Sequence, residues 1–153
     1  YPDAYLGELV ELLRRACISV VSDPHTGPLH ARVKELLASD VNVCLGQDDI
    51  SDAYYPLGRN NMPEVAFLAS HLLWMMGEQE IETLYEMITT RAARAMNLPR
   101  YGLAAGCAAN LVVLDHPSVA EAVRFHDEPA VVISHGRPVD LAHMRRLAKL
   151  DRG

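Results

Sequence analysis

The first fifty residues alternate between helical and strand patterns, and neither strand pattern has a polar face. Apolar residues at helical spacing predict a helix over residues 6–16, and a second helix is predicted over 29–38. The apolar runs 18–21 and 41–45 predict two short buried strands between and after these helices. Strands without a polar face that alternate with helices are typical of a parallel sheet covered by helices. The sequence therefore predicts an α/β fold.

The middle of the chain carries a helical pattern. Pro63 is predicted to open a helix at its N1 position, with the residues from Val65 through Trp74 and the Met75–Met76 pair on its core face and Gly77 at its end. A second helix is predicted over residues 78–96.

The last fifty residues change to short strands and turns. The predicted elements are strands at 110–114 and 130–133, a hairpin at 134–139, and helices at 118–125 and 141–150. This division predicts helical and strand units over residues 1–100, a sheet unit over 101–140, and a C-terminal helix or tail over 141–153.

Composition limits the class of protein. With 153 residues, half of them hydrophobic, the chain can bury a core, and its net charge of −6 argues against a nucleic-acid partner. No apolar run approaches the ~20 residues of a membrane helix, so no membrane partner is expected. The three cysteines, Cys17, Cys44 and Cys107, are odd in number and far apart, in surroundings that predict core positions. A reducing, cytoplasmic compartment follows from this interpretation.

Polar residues follow both predicted strands of the N-terminal half. Asp23-Pro24-His25 follows the first strand, and Gln47-Asp48-Asp49 follows the second. In a parallel sheet both loops lie at the carboxyl end, where such folds place their sites. A carboxylate on that edge can hold a divalent metal or activate water. The alternative is that Asp48 and Asp49 only cap the following turn or helix, and the pattern alone favours this alternative slightly.

Other chemical motifs are missing from the sequence. It contains no His-x-His, His-Glu-x-x-His or Cys-x-x-Cys, so a metal site built from this chain alone is not supported. It also lacks the Gly-x-Ser-x-Gly elbow of a serine hydrolase, and the glycines from Gly102 to Gly106 do not form a phosphate loop. His71 lies among apolar residues and is predicted to be a core or interface residue.

Four segments of the chain resemble one known family. The run VCLGQDDISDAYYPLG at 43–58, followed by Asn61-Met62, is similar to the strand-eight segment of cytosine deaminase-like enzymes of the amidohydrolase superfamily. Residues 89–94 resemble the helix that ends their barrel. Residues 101–114 and 132–139 resemble strands of their small β-sandwich domain.

This resemblance implies a fold and a reaction. Such enzymes are (β/α)8 TIM barrels that hydrolyse an amino group from a ring with a metal-bound water. The chain would supply strands 7 and 8 with their helices, plus closing strands of the sandwich. Asp48 would complete the site of a divalent zinc or iron ion and accept a proton from the attacking water. Asp49 would accept a hydrogen bond from the substrate, Tyr54 would stack on its ring, and Gln47 would line the pocket.

The chain also departs from the family. Gln47 replaces a histidine, Tyr54 replaces a tryptophan, and the loop at 22–30 is shorter, so the ring is left open among aminopyrimidine, triazine and pterin-like substrates. The other metal ligands and the catalytic glutamate would lie upstream of Tyr1. The chain alone is therefore expected to be inactive and to need the upstream polypeptide of the same enzyme, with a homo-oligomer left open.

A second interpretation comes from another class of protein. The chain could be a non-catalytic α/β binding or oligomerisation module. Asp48 would then be a loop cap, and the helix around Trp74 would pack against a partner. Whether Tyr1 is a native start, a cleavage point or a truncation is not fixed by the sequence.

Overall fold

The computed structural model describes residues 3–48, 53 and 55–150. These residues form a helical layer over a two-stranded sheet, followed by a three-stranded sheet. The helices are α1 (Asp3–Arg15), α2 (Val33–Ala38), α3 (Met62–Leu72), α4 (Glu78–Ile88), α5 (Thr90–Ala95), α6 (Val119–Phe125) and α7 (Leu141–Leu150). The strands are β1 (Val20–Ser22), β2 (Val43–Leu45), β3 (Leu111–Val113), β4 (Val131–Ser134) and β5 (Arg137–Pro138).

The predicted parallel sheet is present. β1 pairs with β2 in parallel, with Val20 opposite Val43 and Ser22 opposite Leu45. Both strands begin two residues later than predicted, because the preceding residues close the helices instead. The backbone N–H of Ile18 donates to the carbonyl of Leu13 at 2.9 Å.

The prediction of full burial is wrong for β1. Val20 packs against the core, but Val21 is 64% exposed on the other side of the sheet. Successive side chains of a strand point to opposite faces, so one face of this sheet is covered and the other is open at Val21.

The predicted helix at 29–38 is shorter than expected. Residues Pro24–Leu29 form a 3-10 helix, and α2 begins only at Val33. Gly27 has φ +59° and ψ −121°, which helical residues do not adopt, so the chain bends there.

The prediction for the end of α3 is wrong at two side chains. The helix begins after Asn61, whose side chain accepts a hydrogen bond from the Glu64 N–H, and ends at Leu72. Trp74 adopts φ +52° and is 77% exposed, and Met76 is half exposed, so only Met75 enters the core. The left-handed turn at Trp74 rotates these side chains off the face that helical spacing predicts.

The predicted helix at 78–96 is two helices. Thr89 breaks it with φ −128° and ψ −94°, and its hydroxyl donates to the Tyr85 carbonyl at 2.7 Å. At the start of α4, backbone N–H groups of Gly77 and then Met76 donate to the Glu80 carboxylate and lower its pKa.

His71 is exposed, so the core interpretation of this residue is wrong.

The core lies between the sheet and the helical layer. Its most enclosed side chains include Leu84 and Met87 of α4, which are fully buried. The other buried members come from α1, α2, β2, α3 and α6 and from the residues just before β2 and just after α3, and comprise Val10, Val33, Leu36, Val41, Val43, Leu45, Val65, Ala66, Ala69, Met75 and Val123. Val123 joins the C-terminal region to this core through α6.

Truncating Leu84 is expected to destabilise the protein strongly. Leu84→Ala removes a fully buried side chain and leaves a cavity, which costs about 2–5 kcal/mol of unfolding free energy. Urea unfolding of the full-length protein measures this change. Glu82→Ala on the exposed side of the same helix is the control, expected within about 0.5 kcal/mol of wild type. Equal losses in the two variants would contradict this assignment of the core.

The predicted C-terminal strands form an antiparallel sheet in the order β3-β4-β5. Ile133 lies opposite both Leu111 and Pro138, which confirms the hairpin. Ser118 caps α6 by accepting a hydrogen bond from the Glu121 N–H at 3.2 Å. Large apolar side chains remain exposed here, among them Leu103 and Val112.

The cysteines occupy three different environments. All three are free. Cys44 is buried, and desolvation raises the pKa of its thiol. Cys107 is partly buried and Cys17 is exposed, so the core prediction is wrong for Cys17. Within the described ranges no helix has both the length and the apolar character needed to cross a bilayer.

Candidate functional site at the carboxyl end of the parallel strands

The two polar loops predicted to meet do begin side by side. β1 and β2 run in the same direction and end in register at Ser22 and Leu45. The next residue of the second strand, Gly46, donates its backbone N–H to the Ser22 carbonyl at 3.0 Å. A Cβ built on Gly46 would lie 3.0 Å from the Val21 side chain, so this close approach favours glycine. Asp23 and Gln47 therefore leave adjacent strand ends.

Asp48 is the carboxylate that the second strand presents at this edge. Its side chain is exposed, and its backbone adopts φ +57°. Aspartate tolerates this left-handed conformation better than most residues. The chain turns at Asp48, three residues after the end of buried strand β2, and its carboxylate is exposed there.

Gln47 has a buried side chain with an unmet hydrogen-bonding group. The residue is 8% exposed, and its Oε1 has no hydrogen-bond partner among the described residues. An unpaired buried carbonyl oxygen costs about 1–3 kcal/mol. A donor that reached this oxygen would recover that free energy.

The other two predicted site residues, Asp49 and Tyr54, lie outside the described residues. In the part of the chain that is described, no group of three or more His, Cys, Asp and Glu side chains could hold a metal ion. Among the described side chains at this edge, Asp48 offers an exposed carboxylate.

An aspartate–histidine pair follows the first strand. The Asp23 Oδ1 accepts a hydrogen bond from the His25 backbone N–H at 3.0 Å and lies 2.7 Å from the His25 Nδ1. The side chains are 15% and 3% exposed, respectively. An ionised carboxylate only accepts, so this contact assigns the ring proton to Nδ1. The sequence placed these residues at the correct edge, but no spacing rule indicated that they pair.

His25 also contacts the segment that follows Asp48. Its ring packs edge-on against Tyr55, with centroids 4.4 Å apart and planes at 65°. The loop is closed at its far end by the Ala31 N–H, which donates to the Ser22 hydroxyl at 3.3 Å. The loops after β1 and β2 are therefore in direct contact.

A cavity of about 360 Å³ lies elsewhere, between α1 and the Glu35–Ser39 region. Its lining includes Leu6, Val10 and Arg14 and none of the strand-end residues. The strand-end residues, rather than this cavity, combine an open carboxylate with buried polar groups, and we place the candidate site there.

The chain is similar to known proteins over most of its length. The model of the family described as "Amidohydrolase family" matches residues 2–140. The chain is 27% identical over 137 residues to N-isopropylammelide isopropyl amidohydrolase of Pseudomonas sp. (strain ADP), covering 89% of this chain and 34% of that protein.

Two solved structures are similar over most of the chain. The 5-methylcytosine deaminase of Klebsiella pneumoniae, in complex with phosphonocytosine, matches with a TM-score of 0.82 and 33% identity. This match covers 91% of the chain and 37% of the deaminase. The N-isopropylammelide isopropylaminohydrolase of Burkholderia multivorans matches with a TM-score of 0.85 and 27% identity, over 91% of this chain and 36% of that one. The chain spans about a third of the length of each relative.

Proposed function

Because this chain belongs to the amidohydrolase family, as a cytosine deaminase-like member, we propose that it is the C-terminal part of a metal-dependent hydrolytic deaminase. The substrate is an amino-substituted nitrogen heterocycle, such as a pyrimidine or a triazine. The observation that carries the proposal is the similarity over 91% of the chain to a 5-methylcytosine deaminase and to an aminohydrolase of a substituted triazine ring.

We assign β1 and β2 to strands 7 and 8 of a (β/α)8 barrel. Their parallel pairing, with helices over one face and Val21 exposed on the other, supports this assignment. Residues 1–100 then belong to the barrel, 101–140 to a β-sandwich, and 141–153 to a C-terminal helix or tail. The antiparallel β3-β4-β5 sheet supports the second unit.

The residues present fit one part of a metal site. Asp48 supplies a hard, exposed carboxylate oxygen, which suits a divalent zinc or iron ion, and the upstream polypeptide supplies the remaining ligands. When bound, the metal lowers the pKa of a water and so makes it a nucleophile at neutral pH.

The residues of this chain have separate roles in the proposed reaction. The Asp48 carboxylate accepts a proton as water attacks the ring carbon, and returns it to the departing amine. Asp49 accepts a hydrogen bond from the ring, and Tyr54 stacks on its face. Gln47 lines the pocket, and its unpaired Oε1 is an acceptor for a ring or upstream N–H group.

The free cysteines are consistent with a reducing, cytoplasmic setting for this enzyme.

One observation favours a second candidate function. The exposed Trp74 and Met76 form an apolar corner at the end of α3, which suits a binding or oligomerisation module.

A substrate panel tests the proposed reaction. The full-length polypeptide, loaded with zinc or iron, is assayed for release of ammonia or a substituted amine from cytosine, 5-methylcytosine and N-isopropylammelide. We expect turnover of at least one of these rings, because the similar enzymes act on both ring types. A folded, metal-loaded enzyme that releases amine from none of the three would contradict the proposed substrate class.

A further inference from the structure

We propose that His25, oriented by Asp23, is a positioning residue that holds Tyr55, on the C-terminal side of Asp48, in place for substrate binding. The inference rests on the proposed function and extends it to two residues that carry no role in it so far. Both residues lie at the carboxyl end of β1, beside the strand that carries Asp48.

The Asp23 carboxylate holds the His25 imidazole in one orientation. A single carboxylate oxygen, Asp23 Oδ1, faces both the backbone N–H and the ring Nδ1 of His25. The His25 side chain is 3% exposed, so its ring has almost no access to solvent. Such a buried, hydrogen-bonded ring suits a structural clamp better than a group that exchanges protons with solvent.

The oriented ring is placed against Tyr55. The edge-on contact at 4.4 Å joins two loops that are 30 residues apart in the chain. Aromatic pairs of this geometry stabilise the contact beyond the burial of their area. His25 therefore restrains the chain on the C-terminal side of the Asp48 segment.

The residues at and after the end of β1 contact the chain on both sides of Asp48. Ser22 accepts the hydrogen bond of Gly46 on the N-terminal side, and His25 contacts Tyr55 on the C-terminal side. These contacts hold Gly46 and Tyr55 in place before substrate binds, which lowers the ordering cost of binding at these two residues. Asp48 follows Gly46 by two residues in the chain, whereas Tyr54 is bonded directly to Tyr55. Loss of His25 should therefore weaken substrate binding more than metal binding.

Variants of His25 separate this role from general stability. His25→Asn keeps a donor for Asp23 and loses the ring, and His25→Phe keeps the ring and loses the donor. In the full-length enzyme, both are expected to raise KM about tenfold for whichever of cytosine, 5-methylcytosine or N-isopropylammelide the wild type turns over. Metal content and kcat should stay within about twofold. Hydrogen exchange should become faster in the peptide covering residues 47–58.

The control replaces another histidine that packs on an aromatic ring. His71→Asn removes a ring 4.6 Å from Phe67 on α3, outside both loops, and should leave KM and the exchange of residues 47–58 unchanged. Unchanged KM and exchange in the His25 variants, or equal changes in His71→Asn, would overturn the proposal.

Two further arrangements keep the test decisive. Asp23→Asn retains an acceptor oxygen but removes the charge. If the His25 variants do not fold, faster hydrogen exchange of residues 47–58 in Asp23→Asn supports the proposal, and unchanged exchange overturns it. If the wild type turns over none of the probes, the proposed function fails, and hydrogen exchange alone then supports or overturns the positioning role.

Discussion

Replacing Asp48 by asparagine in the full-length enzyme is expected to lower kcat/KM for ring deamination by about 10⁴-fold. Asparagine has nearly the same shape and also tolerates the positive φ of this position, so the fold is preserved. Its amide cannot accept the proton from the attacking water, and it is a poorer ligand for a divalent cation. Steady-state kinetics with the ring that the wild type turns over measures the loss.

Asp40 offers a matched control for this experiment. It is exposed, it also has a left-handed backbone at φ +61°, and it precedes the same strand whose other end carries Asp48. Asp40→Asn makes the identical chemical change at the amino end of β2, where a barrel places no catalytic residues. We expect near wild-type kcat/KM in D40N. Wild-type kinetics in D48N would contradict the role assigned to Asp48.

The chain of residues 1–153, expressed alone, is expected to show no deaminase activity above the uncatalysed background. A single carboxylate does not hold a catalytic metal, and the described residues contain no cluster of ligands that would. Addition or co-expression of the upstream polypeptide should restore the activity, because it would supply the missing ligands. Activity assays of the isolated chain, with and without the upstream part, measure this difference.

Solution behaviour of the isolated chain distinguishes the two candidate functions. In the described part of the chain the parallel sheet has two strands, with Val21 exposed on one face. Open strand edges and bare apolar faces favour aggregation. A monodisperse monomer of the isolated chain in size-exclusion chromatography would favour the binding module. Separately, deaminase activity of the isolated chain would contradict its need for upstream residues.

The sequence predicts the architecture because its main determinants are local. Hydrophobic spacing identifies α1, and two apolar runs without a polar face predict parallel pairing, which places Asp48 beside the end of β1. The resemblance to one family is carried by the Asp48 segment, and the match to the family model over residues 2–140 confirms it.

Features that depend on backbone turns or distant contacts are not visible in the sequence. Helical spacing continues smoothly through Trp74 and Thr89, yet a left-handed turn exposes the first and a helix break occurs at the second. The Asp23–His25 pair spans a proline and fits no ligand spacing, and its contact with Tyr55 joins residues 30 positions apart. Only the packing of the two loops reveals it.

The metal content of the full-length wild-type enzyme, D48N and D40N tests the central claim most directly, because it asks whether Asp48 belongs to a metal site. Elemental analysis after purification and metal loading should find about one divalent ion per polypeptide in the wild type and in D40N. D48N should hold much less than either. A D48N enzyme that binds as much metal as the wild type would contradict the placement of the site at the end of β2.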